Sequence, residues 1–169
     1  MTRMREAGLT KWRILVVDDE PAVLEAHTEM LRRLGYRVAT SQNPLEAFDF
    51  FKENPYELDL IMADQIMPFM RGTEMAEQIR RIRNDIPVII ITGGFDVEST
   101  QESAEALHIN SVFLKPINKS DMAEGIEAIL SQSRKRKRHL GEDGHGNHPC
   151  EDLPGQREEG ESLCICHCR

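Results

Sequence analysis

The sequence predicts an α/β protein built on a five-stranded parallel sheet, doubly wound, with helices on both faces. Three observations carry this. Five short aliphatic runs recur between Trp12 and Leu130 with little polar alternation, as in strands buried on both faces. The segments between them place apolar residues at helical spacing. The strict alternation of the two patterns demands right-handed crossovers and a parallel sheet.

Arg13-Ile14-Leu15-Val16-Val17 is the first run, and Pro21 follows at a first-turn position. Val23, Leu24, Met30, Leu31 and Leu34 then form a helical stripe that Gly35 closes. Tyr36 to Ala39 reads as the second strand, and Asn43-Pro44 opens a helix carrying Leu45, Ala47, Phe48 and Phe51. Leu58 to Ala63 is the third strand, ending at Asp64, and Gly72 to Ile82 is a helix with Met75, Ala76, Ile79 and Ile82 inward. Pro87 to Ile91 is the fourth strand, ending at Thr92-Gly93-Gly94; a polar helix spans Val97 to Leu107. Ser111 to Leu114 is the fifth strand, ending at Lys115-Pro116, and Ser120 to Leu130 is the last helix.

Composition narrows the function classes. The chain has 169 residues, enough for one domain with a real core, and aromatics are only 5%. A net charge of −8 argues against a general nucleic-acid binder and suits protein partners. No run is long enough to span a membrane, and the short apolar run behind the basic N-terminus ends in Asp18-Asp19-Glu20, unlike an export signal. All four cysteines lie in the tail, so the fold stands without disulfides and the cytoplasm is the expected location.

Ligands of parallel α/β sheets bind at the carboxyl ends of the strands. Asp18-Asp19, Asp64, Thr92 and Lys115 all fall there, on one rim. Carboxylates gathered in this way repel unless a cation joins them, and an oxygen-only donor set favours Mg²⁺. Mg²⁺ accepts phosphate oxygens readily, so the rim suits phosphoryl transfer. Asp64 could form an acyl phosphate, with Lys115 and the Thr92 hydroxyl meeting the phosphoryl oxygens and Gly93 leaving room beside them. Each residue also has a plainer reading: Asp18-Asp19 as a helix cap, Asp64 as a loop acid, Thr92 as a turn residue and Lys115 as a solvated lysine. Their joint arrival on one rim is what favours the chemical reading.

Ile14 to Glu20, Ala63-Asp64-Gln65-Ile66-Met67-Pro68 with Gly72, Ile91-Thr92-Gly93 and Leu114-Lys115-Pro116 together resemble the signature of the response-regulator receiver family of two-component systems, over residues 12–131. The resemblance implies a flavodoxin-like (βα)5 fold in which Asp64 is the phosphoacceptor in a phosphorelay. The donor would be a phosphohistidine on a sensor histidine kinase or His-phosphotransfer protein. It implies Mg²⁺ held by Asp18, Asp19, Asp64 and the Ile66 backbone carbonyl, Thr92 as switch hydroxyl, Lys115 as phosphate partner and a cis Lys115–Pro116 bond. It further implies a switch and not a metabolic enzyme, with self-catalysed phosphoryl transfer to Asp64, and a protein effector downstream; dimerisation on phosphorylation is left open. One position departs from the pattern. The family's switch aromatic would stand at Val112, whereas Phe113 is one step on and faces the other way.

A rival reading is a phosphatase with the same aspartate nucleophile, but it needs a general acid two positions on, where Ile66 stands. Residues 132–169 read as a disordered, low-complexity tail. Its run Arg134 to Arg138 is offset by as many acidic as basic residues in the whole tail. His145, His148, Cys150, Cys164, Cys166, His167 and Cys168 could hold a soft metal or form an unselected end, and a metal-sensing tail is the second rival. His27 and His108 read as surface or structural residues, and Met67 and Met70 as packing.

Overall fold

The first strand, β1 (Arg13–Val17), runs through the middle of the sheet, and its last four residues are buried, as a continuous aliphatic run requires. The computed structural model describes residues 12–94 and 97–142, with side chains as far as Ser133. Helix α1 (Pro21–Arg33) starts on Pro21 and stops at Gly35, whose φ of 92° is open to glycine at no cost. The Gly35 N–H bonds the Arg32 carbonyl at 2.9 Å and the Tyr36 N–H bonds that of Leu31 at 3.1 Å, closing the helix in a Schellman motif. The chain then enters β2 (Arg37–Ser41), one residue later than the apolar pattern places it because the Tyr36 N–H is spent on the cap.

Asn43 caps α2 (Pro44–Glu53), its Oδ1 accepting the Leu45 N–H at 2.9 Å. Strands β3 (Leu60–Asp64) and β4 (Val88–Thr92) are buried along their whole length. Between them lies α3 (Gly72–Ile82). Helix α4 (Val97–Ala106), β5 (Ser111–Leu114) and α5 (Lys119–Glu142) complete the chain's described part.

The sheet order is β2-β1-β3-β4-β5 and every pairing is parallel. Alternate residues along each strand feed two separate cores. Leu15, Val17, Ile61, Ala63, Val88 and Ile90 pack with Phe51, Met75 and Ile79 of α2 and α3. Ile14, Val16, Leu60, Met62, Ile89 and Ile91 pack with Leu24 and Leu31 of α1 and Met122 and Ile126 of α5. At the opposite end of the sheet from the rim, buried Arg83 bonds the Pro55 and Leu58 carbonyls at 2.7 and 2.8 Å and pairs with Asp85.

Helix α5 runs to Glu142, beyond the Leu130 boundary that the apolar stripe sets and into the segment expected to lack structure. A helix once nucleated propagates on propensity alone, and Arg and Lys are good formers that need no apolar stripe. None of the described helices is long and apolar enough to cross a membrane. The tail's cysteines, its histidines beyond position 142 and the expected disorder there lie outside the described residues.

Candidate functional site

The strand order reverses between β1 and its two neighbours, β2 and β3, and the rim above β1 and β3 is the crevice where α/β sheets bind ligands. Asp18 is the first residue beyond β1 and is 1% exposed. Its two oxygens do different work. Oδ1 accepts the Glu20 N–H at 3.0 Å, which is the turn-capping role available to any aspartate before a helix. Oδ2 faces inward and meets Lys115 Nζ at 3.0 Å. Asp18 therefore caps the turn with one oxygen and pairs with Lys115 through the other.

Asp64 ends β3 and is 6% exposed. Its Oδ1 lies 2.5 Å from Lys115 Nζ, and its Oδ2 accepts the Ile66 N–H at 2.8 Å. Burial pushes the Asp64 carboxyl above its ordinary pKa; the Lys115 ammonium and the Ile66 N–H pull it back only partly, and nearby Asp18 adds to the rise. For Lys115, burial works against the charged form, yet its bonds to Asp64 and Asp18 outweigh that and raise its pKa. One ammonium thus joins two buried carboxylates across the crevice.

Thr92 ends β4, is 1% exposed, and donates from Oγ1 to the Gly93 carbonyl at 3.3 Å, a long bond and a weak hold. A Cβ on Gly93 would meet nothing within 4 Å, so the space above the rim at this point is open. The Lys115 N–H bonds the Thr92 carbonyl at 2.8 Å, carrying β5 alongside β4, and the Lys115–Pro116 peptide bond is cis. The rim therefore brings Asp18, Asp64, Thr92 and Lys115 together.

Asp19 stands apart from them. Its side chain is exposed, and among the described residues no three carboxylate, imidazole or thiolate groups converge as a ready metal cage. Asp18 Oδ2 and Asp64 Oδ1 nevertheless face one cation, and a pair of hard oxygen donors held so suits Mg²⁺. The Ile66 N–H bonds Asp64 Oδ2, while its side chain is exposed.

In register, Val112 pairs with Ile90 and Phe113 with Ile91, so the two lie on opposite faces. The Phe113 ring packs against α5, where only the absence of a side chain on Gly125 leaves room for it. Among the described residues of β5, none on the α4 side is aromatic.

Three features of the site escaped the sequence reading. Gly72 presses on the end of β3: a Cβ there would overlap the Asp64 carbonyl oxygen, 3.1 Å from its carbon and 3.2 Å from Ile90 Cδ1. Gln65 is 2% exposed, and its side-chain amide binds Thr73 twice. The signal for it was present, because a glutamine immediately after Asp64 interrupts an otherwise apolar strand end. His27 is buried on α1 with Nδ1 unpartnered; burial lowers its pKa, while Asp18 pulls it up and Lys115 pulls it down.

Residues 14–127 match the family model described as the response regulator receiver domain. The rice two-component response regulator ORR26 is 30% identical over 152 residues, covering 89% of this chain and 25% of that protein. The transcriptional regulatory protein PrrA of Mycobacterium tuberculosis is 30% identical over 125 residues, 74% of this chain and 52% of that one. The chain thus spans a quarter of the first relative and half of the second. Among solved structures, a CheY-like response regulator receiver domain protein from Methanospirillum hungatei superposes with a TM-score of 0.69 at 28% identity, over 75% of this chain and 99% of that one. A receiver domain protein from Clostridium thermocellum gives 0.68 at 26% identity, over 76% and 98%.

Proposed function

The chain belongs to the response-regulator receiver family, whose members serve phosphorelay signalling, and from that premise we propose that Asp64 is its phosphoacceptor. The observation that carries this reading is the placement of the Asp64 carboxylate. It sits at the carboxyl end of the sheet, with one oxygen on the Lys115 ammonium and the other on the Ile66 N–H.

The donor is a phosphohistidine on a sensor histidine kinase or His-phosphotransfer protein. As an Asp64 oxygen forms its bond to phosphorus, the P–N bond breaks and its electron pair returns to the imidazole, which takes up a proton. Lys115, freed from the neutralised Asp64 oxygen, stays beside the new phosphoryl oxygens and balances their charge. The Thr92 hydroxyl gives up a weak bond to the Gly93 carbonyl and turns to the phosphoryl group through the open space above Gly93. Asp18, Asp19, Asp64 and the Ile66 carbonyl would hold Mg²⁺, and the ion would supply charge neutralisation for a phosphoryl group in transfer.

No acid stands two residues after Asp64: Ile66 presents an aliphatic side chain there, 60% exposed. A phosphatase would need a proton donor at that place to expel its leaving group. The chain accordingly acts as a switch, and its own chemistry is limited to phosphoryl transfer to Asp64. The output passes through a protein effector in the cytoplasm, and the charge of −8 suits that better than nucleic acid.

Intact-protein mass spectrometry after incubation with acetyl phosphate, with and without Mg²⁺, tests the assignment. The wild type should gain a Mg²⁺-dependent, hydroxylamine-labile phosphoryl adduct that Asp64→Asn lacks. An adduct that persists in Asp64→Asn, or a folded wild type that gains none, refutes it.

A further inference from the structure

We propose that Gln65 is a positioning residue for phosphoryl transfer, clamping the peptide that aims the Asp64 carboxylate to the first turn of α3. The inference rests on the phosphoacceptor reading of Asp64 and assigns a role to a neighbour that touches neither phosphorus nor metal.

Helix α3 begins without the usual cap. Its N-cap is Arg71, a residue whose side chain has no acceptor to offer the free N–H groups of the first turn. The Glu74 carboxylate reaches back to the Arg71 N–H at 2.9 Å, which covers one of them. Two more are met by Gln65 from the other side of the loop. Its carbonyl accepts the Gly72 N–H at 3.1 Å, and its side-chain Oε1 accepts the Thr73 N–H at 3.1 Å. Its Nε2 donates to Thr73 Oγ1 at 3.3 Å. The Gln65 N–H is fixed in turn on the Ile91 carbonyl at 2.7 Å. A glutamine 2% exposed and bonded in this way has one arrangement open to it, since any other leaves buried polar groups unpaired.

The peptide that follows Gln65 carries the Ile66 N–H, and that N–H is the donor on Asp64 Oδ2. The Gln65 amide thus holds residue 65 to the helix, residue 65 sets the next peptide plane, and the plane sets the rotation of the phosphoacceptor carboxylate. Beside the amide, the loop is held at this point by the two backbone bonds of residue 65 and by the pressure of Gly72 on the Asp64 carbonyl.

The test compares rates of acetyl phosphate uptake at saturating Mg²⁺, well below each protein's melting temperature. Gln65→Leu should slow uptake about tenfold, the order expected when a reacting group is held loosely. Thr73→Val, which keeps the backbone bond, should slow it less, and Thr73→Ser should restore the wild-type rate. Asn43→Ala removes the remote cap of α2 and matches the loss of stability without touching the rim, so it should react as wild type. If Gln65→Leu does not fold, the contrast of Thr73→Val with Thr73→Ser decides. Gln65→Leu reacting as fast as Asn43→Ala, or Thr73→Val as fast as Thr73→Ser, overturns the positioning role alone. A wild type that takes up no phosphoryl overturns it together with the assignment of Asp64.

Discussion

Gly72→Ala adds one methyl group at the most crowded point beside Asp64. The φ of Gly72 lies outside the left-handed region, so the substitution costs nothing in backbone strain and its effect comes from contact alone. The new Cβ would overlap the Asp64 carbonyl oxygen and lie 3.1 Å from its carbon, whereas carbon atoms rest about 3.5–4.0 Å apart. The obstructing atoms are backbone of a buried central strand and cannot swing aside, so α3 or the end of β3 has to move by roughly half an ångström. Overpacking of this kind costs about 1–3 kcal/mol. The stiffer unfolded chain returns about 0.4–1 kcal/mol. The net loss is about 1–2 kcal/mol, or roughly 3–8 °C in melting temperature for a domain of this size. The same displacement moves the carboxylate, so uptake from acetyl phosphate should fall roughly tenfold. Calorimetry and mass-spectrometric uptake rates measure the two effects on one preparation. A variant more stable than wild type, as Gly→Ala gives at an uncrowded helical position, with normal uptake would refute the argument.

Lys115→Met leaves Asp18 and Asp64 facing each other without a cation. Because the lysine keeps partial contact with water, the destabilisation should lie near about 2–3 kcal/mol at pH 7. The Asp64 pKa, already above 3.8, rises further in the variant, so the deficit should shrink as pH falls through that raised value and the carboxyl takes up a proton; urea titrations at pH 7 and 4 compare them. Saturating Mg²⁺ should raise the melting temperature of this variant more than that of the wild type, and equal shifts would contradict the reading. His27, with its pKa depressed below the ordinary 6.5, binds a proton less readily in the folded than in the unfolded chain. The stability it contributes is therefore present above pH 6.5 and lost as pH falls below it; His27→Leu should show a smaller drop between pH 7.5 and 5.5, and an unchanged drop counts against the assignment. Phe69 sits at φ 71° with 82% of its surface exposed, so Phe69→Gly relieves strain while giving up little packing. A gain of up to about 1 kcal/mol in urea unfolding is expected, and a loss would mean that the ring packs more than its exposure indicates.

The sheet was legible because three of its strands are buried on both faces and must be written as unbroken aliphatic runs. The rim was legible because Asp18, Asp64 and Thr92 stand at the ends of these runs and Lys115 directly after the shorter run of β5. The end of α5 was not, since the helix beyond Leu130 has no apolar stripe to mark it and follows propensity instead. Burial of His27 was hidden for a related reason: a helical stripe identifies its apolar members, and an imidazole on the inner face does not announce itself. Gln65 and Gly72 act on Asp64 across a turn, and their pairing depends on how α3 folds back over β3. Sequence order gives the identity of both residues and none of that geometry. Asp19 marks the other limit. Adjacent to Asp18 in the chain, it faces water while its neighbour is buried, because successive side chains leaving a strand point opposite ways.

If Asp64 takes a phosphoryl group, as proposed, the resting electrostatics of the rim change with it. Lys115 is divided between Asp18 Oδ2 and Asp64 Oδ1, and together they outweigh the cost of burying it. Converting Asp64 to an acyl phosphate would remove one of these charges from the carboxylate and return a larger one on the phosphoryl oxygens, further out from the strand. The ammonium must follow it or remain under-compensated. Lys115 is also the residue whose N–H ties β5 to the Thr92 carbonyl, so the group that tracks the charge is fixed to the strand that meets α5 through Phe113 and Gly125. With Val112 on the other face there is no ring on the α4 side to change rotamer. On the proposed phosphoacceptor reading of Asp64, the route this geometry offers a signal is the main chain of β4 and β5 and the packing of α5 rather than the swing of an aromatic side chain.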